Sequence, residues 1–76
     1  MTKQQKAEIT KHIHNIAEME KPKLLLFTQQ LYLAKPDMDS VVFEWTLRGC
    51  DARMMELRDE SSMSPLVVLS DLPTVD

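Results

Sequence analysis

Glycine is almost missing from this sequence. Gly49 stands alone among 76 residues, so no glycine-rich loop is present to cradle a phosphate. Cys50 is also alone, which excludes a disulfide within the chain and any multi-cysteine metal site. One unpaired cysteine beside six methionines suits a reducing, cytoplasmic setting. Long apolar runs are absent as well. The longest, LLLF at Leu24–Phe27, is far short of the roughly 20 residues that a membrane-spanning helix needs. The opening MTKQQKAEIT is polar and lacks the apolar stretch of a signal peptide. Neither GxSxG nor HExxH occurs, and a chain this short has little room for a supported pocket. No enzymatic activity, cofactor or metal is expected.

Positive charge is in short supply too. The formal net charge is −3, and it is unevenly distributed. Lys3, Lys6, Lys11, Lys21 and Lys23 face three acids in the first part of the chain. From Asp37 onward, nine acids face Arg48, Arg53 and Arg58. An acidic protein repels phosphate backbones unless its cations gather on one face.

The residues that are present read as helices. Thr2-Lys3-Gln4-Gln5 fits a capping box, and Ile9, Ile13 and Ile16 follow at helical spacing. This predicts a first helix to about Glu20, where Pro22 stops it or opens a new one. The next segment, PKLLLFTQQLYLAK, is apolar nearly all round and predicts a central, buried helix. Pro36 ends it. Asp37, Asp39 and Ser40 then offer caps for a third helix from about Ser40 to Glu60. Phe43, Leu47, Cys50, Met54 and Leu57 step by four and three, as a buried seam between antiparallel helices does. Gly49 falls within this helix, where it permits either a close approach of another backbone or a break. After the polar ESSMSP comes PLVVLSDLPTVD, whose Val67, Val68 and Leu69 suggest a short strand.

The expected fold is all-α. It comprises a three-helix domain (a hairpin of the first two helices plus a longer third) over residues 1–62. An extended C-terminal arm covers 63–76, and the whole is dimeric. A chain this small buries too little surface to be very stable by itself.

Two contact surfaces follow from the pattern. Val41, Trp45 and Ala52, with Met55 beside them, lie about 160° around the third helix from its seam, at about 100° per residue. Tryptophan is enriched at the energetic centres of interfaces, so Trp45 is a candidate anchor. In the tail, Leu66, Val68 and Leu69 can pair with another protein, glue two copies together, or fold back on the protein's own core. His12 and His14 also stand about 160° apart on their helix, so they cannot chelate one ion together. His12 reads as a packed histidine and His14 as a surface partner of Glu18. Cys50 falls on the buried seam, where cysteine behaves as a small apolar residue.

A helix-turn-helix around Gly49 is the rival reading. Trp45 occupies a position that wants a small residue, however, and DARMMELRDE carries four acids against two arginines. A basic surface of Lys3, Lys6 and Lys11 on a dimer is the remaining route to DNA and to a regulator of transcription. The sequence points first to a small cytoplasmic protein that binds another protein stoichiometrically, as an adaptor, inhibitor or regulator.

Overall fold

The computed structural model describes residues 1–58 and 64–75. All regular structure among these residues is helical. It consists of α1 (Lys3–Ala17), α2 (Lys21–Ala34), α3 (Ser40–Leu57) and the short α4 (Leu66–Ser70), with a 3-10 turn at Lys35–Asp37. The end of the expected third helix at Glu60 and the expected domain boundary after residue 62 lie outside the described residues.

The starts of α1 and α3 are locked by side chains. The Thr2 hydroxyl accepts from the Gln5 amide at 3.1 Å, and Gln5 Oε1 accepts from the Thr2 amide at 2.8 Å. This is the capping box read from the sequence. Asp39 caps α3 by accepting from the Val41 and Val42 amides at 2.8 and 3.2 Å. The same carboxylate accepts from Gln5 Nε2 at 3.0 and 3.2 Å, which ties the two helix starts together. Asp39 is held below the ordinary carboxylate range, first by Gln5 and then by the α3 amides.

A second tie lies farther along. Arg53 Nε donates to the Met19 carbonyl at 2.9 Å, and its Nη1 pairs with Glu56. Gln5 to Asp39 and Met19 to Arg53 are each 34 residues apart. A constant offset means that α1 and α3 run side by side in the same direction. Between these two ties sits Gly49, buried against α1. A Cβ built on it would meet Ile13 Cγ1 at 3.0 Å and Ile16 Cδ1 at 3.5 Å. Gly49 therefore permits close approach, and α3 runs unbroken through it.

α2 returns antiparallel to α3. Near the turn the Tyr32 ring packs edge-on to Phe43 at 5.6 Å, while Thr28 reaches Cys50 farther back. The packed hairpin is thus α2 with α3. The expected hairpin of the first two helices is not formed, and α1 and α2 touch each other little. The central helix is α3, which packs against all three others. Its seam of Phe43, Leu47, Cys50, Met54 and Leu57 closes on Ile16, Met19, Leu24 and Leu31. Its other side meets Ile9, Ile13 and Val68 through Val42, Val41, Trp45 and Ala52.

The reading of α2 as the buried helix is corrected. Only Leu24 and Leu31 of α2 are buried, because α2 has α3 on one side and, among the described residues, no helix on the other. The tail is corrected as well. Leu66–Ser70 is helical, not strand, and α4 packs on α1 and α3 instead of extending as an arm. The Cα trace measures 36 × 27 × 15 Å, a slab about two helix layers deep.

Candidate protein-contact surfaces

The largest uncovered apolar surface among the described residues lies on α2. Leu25, Leu26, Tyr32 and Leu33 are 51, 54, 52 and 74% exposed. At about 100° per residue they fall within roughly 120° of the helix, centred on Gln29 and opposite Leu24 and Leu31. Exposed apolar residues scattered singly are ordinary, whereas these four share one face of one helix. Tyr32 leans on Phe43, and the Lys35 ammonium sits 5.2 Å from the same Phe43 ring. Pro22 and Pro36 bracket the face and fix the helix ends.

The surface expected on α3 and the tail is divided by the fold. Val41, Trp45 and Ala52 are half-buried and pack against the Ile9, Ile13, Val42 and Val68 cluster. The Arg48 guanidinium lies 4.3 Å from the Trp45 ring centroid and also pairs with Glu44 at 3.0 Å. Trp45 is therefore covered in part by its own chain. Val68 is buried, and Leu69 is partly buried in the same cluster. Met55 and Leu66 face solvent, together with Val67, which was not among the expected contact residues.

The rival basic surface is open but diffuse. Lys3, Lys6 and Lys11 are all exposed on α1, spread over about 140° of the helix. The hollow beside them is lined by Thr2, Gln4, Gln5, Glu8 and Asp39, which include two acids and no cation.

An open hollow of about 300 Å³ separates α1 from α2 and is lined by His12, Phe27, Gln30, Leu31, Ala34 and Met38. His12 is half-buried with its ring 6.2 Å from Phe27, as a packed histidine should be. His14 is exposed. No group of three or more His, Cys, Asp or Glu among the described residues could hold a metal ion. The Cys50 thiol is buried, and that burial pushes its pKa up, away from the reactive thiolate. No helix among the described residues is long and apolar enough to cross a membrane.

The sequence reading missed the α2 face. The signal was present in the spacing of 25, 26, 29, 32 and 33. It was masked because Leu24, Phe27 and Leu31 make the opposite side equally apolar. Comparison with protein-family models, with curated proteins and with solved structures finds no match.

Proposed function

We propose that this chain is a protein-interaction module that acts by stoichiometric binding and presents the outward face of α2 to its partner. One observation carries the reading. Four large apolar side chains of a 14-residue helix, on the side turned away from α3, stay half or more exposed. Covering them removes apolar surface from water, the main driving force of association. The rigid helix loses little entropy on docking. Recognition would be that of an apolar helix face laid against another helix or groove. Met55 on α3 and Leu66 on α4 are further exposed apolar side chains for the same kind of contact.

The test is a pair of charge-insertion variants assayed by sedimentation. Leu26→Glu with Leu33→Glu should abolish complex formation while the circular dichroism and thermal unfolding stay as in the parent. Met55→Glu with Leu66→Glu should have the smaller effect. Complexes that survive the first pair and fail with the second would move the site to α3 and α4. Binding that weakens steeply with salt and depends on Lys3, Lys6 and Lys11 would instead support the DNA-binding reading.

A further inference from the structure

The side-chain amide of Gln5 is used at both ends, and each end serves a different helix. Its Oε1 accepts from the Thr2 amide at 2.8 Å, on the cap of α1. Its Nε2 donates to Asp39 Oδ1 and Oδ2 at 3.2 and 3.0 Å. Asp39 Oδ1 in turn accepts from the Val41 and Val42 amides, on the cap of α3. The bonds therefore run without a gap from Thr2, through Gln5 and Asp39, to the first turn of α3.

The residue type at position 5 matters to this chain. A capping box needs only an acceptor on its fourth residue, and glutamate would serve as well as glutamine. Glutamine carries a donor besides, and here that donor goes to Asp39. A glutamate would complete the box but set a second carboxylate against Asp39, beside Glu8 on the same hollow. Hydrogen bonds in series polarise one another, so the bond accepted at Oε1 strengthens the one donated at Nε2.

We propose that Gln5 is a latch that makes the first turns of α1 and α3 open and close as one unit. When the start of α1 frays, Gln5 leaves with it and Asp39 loses the donor that holds its carboxylate over α3. When the start of α3 frays, Asp39 leaves and Gln5 loses the acceptor that holds it in the box. Helix ends ordinarily open on their own and are among the least stable parts of a fold. These two are joined across 34 residues of sequence, so their coupling cannot come from the neighbouring chain. The latch also guards apolar surface. Met1 packs on the cluster of Ile9, Ile13, Val42 and Val68, and Val42 belongs to the first turn of α3. Opening both turns together uncovers that end of the cluster in one step.

The experiment is amide hydrogen exchange on the full chain, followed residue by residue by nuclear magnetic resonance. Gln5→Ala leaves the Thr2 hydroxyl on α1 and the Asp39 carboxylate on α3. It should still speed exchange of the Val41 and Val42 amides by about two- to tenfold, the worth of one modest hydrogen bond. Gln5→Glu keeps the box but lacks the donor, and at Val41 and Val42 it should match or exceed Gln5→Ala. Asp39→Ser keeps a good cap on α3 and removes the partner of Gln5. It should speed exchange of the Gln5 and Lys6 amides, which bond to Thr2, because coupling is reciprocal. Adding Asp39→Ser to Gln5→Ala should change α1 no further. Unchanged exchange at Val41 and Val42 in Gln5→Ala would overturn the latch. So would an effect that runs in one direction only, or faster exchange spread evenly along α3, which a general loss of stability would give.

Discussion

Gly49→Ala tests the packing of α1 on α3 at its closest point. Alanine is better than glycine in a helix interior by about 1 kcal/mol, so propensity alone favours the substitution. The new methyl would sit 3.0 Å from Ile13 Cγ1, 3.5 Å from Ile16 Cδ1 and 3.6 Å from Ile13 Cδ1. Carbon atoms prefer about 3.5–4.0 Å, so Ile13 must retreat by roughly half an ångström or more. Ile13 is fully buried and β-branched, with little freedom to turn. Overpacking of this kind costs about 1–3 kcal/mol. The clash outweighs the propensity gain, and the net result is a loss of about 1 kcal/mol. In urea unfolding at fixed protein concentration, followed by circular dichroism, that moves the midpoint down by about 0.5–1 M. The thermal midpoint should fall by about 4–8 °C. Ile13→Ala removes both Cγ1 and Cδ1, so in that background the alanine penalty should at least halve. A Gly49→Ala protein more stable than the parent would refute the close-packing argument and leave Gly49 as a mere defect in α3.

Thr46→Val should raise stability by about 1 kcal/mol in the same assay. The Thr46 hydroxyl is fully buried and has no hydrogen-bond partner among the described residues, so a drop in stability would disprove this account. Asp39→Asn should remove an acid-sensitive part of the stability. Asp39 has a lowered folded-state pKa, so its contribution is complete above the unfolded value of about 3.9 and disappears as pH falls through the folded value. Melting curves against pH should therefore lose part of their acid slope in the variant. Cys50 should react with a thiol reagent only as the protein opens, with a rate that rises through the urea transition. Rapid labelling of native protein would contradict its burial.

Legibility from sequence depended on whether each helix has one apolar side or more. α1 has one, marked by Ile9, Ile13 and Ile16, and its start, stripe and burial were all readable. In α3 the seam from Phe43 to Leu57 and the opposing Val41, Trp45 and Ala52 were both visible. Two apolar sides imply two neighbours, but they do not say which. One proved to be α2 and the other α1 with α4. In α2 the apolar pattern gave no direction at all, so the helix was placed inside. Only the tertiary arrangement shows that α1 occupies the place next to α3 and leaves the far side of α2 uncovered. The tail was misread for a local reason. Leu66, Val67, Val68 and Leu69 have strand propensity, but α1 and α3 offer a cleft and no sheet edge, so one helical turn buries Val68. The α2 surface was missed because exposure belongs to the packing and not to the spacing.

The parallel alliance of α1 and α3 has a consequence for how the chain is made. Helices that neighbour each other in sequence can pair as soon as both exist, but α1 and α3 are matched across a constant 34 residues. During synthesis α1 emerges first and has little contact with α2 to stabilise it. Its isoleucines must wait for Gly49 and Arg53. Their burial comes as a single late event that closes a long loop, and such loops slow folding. A nascent chain stopped near Asp39 should therefore carry α1 unprotected, and a protease should cut it there until α3 is complete.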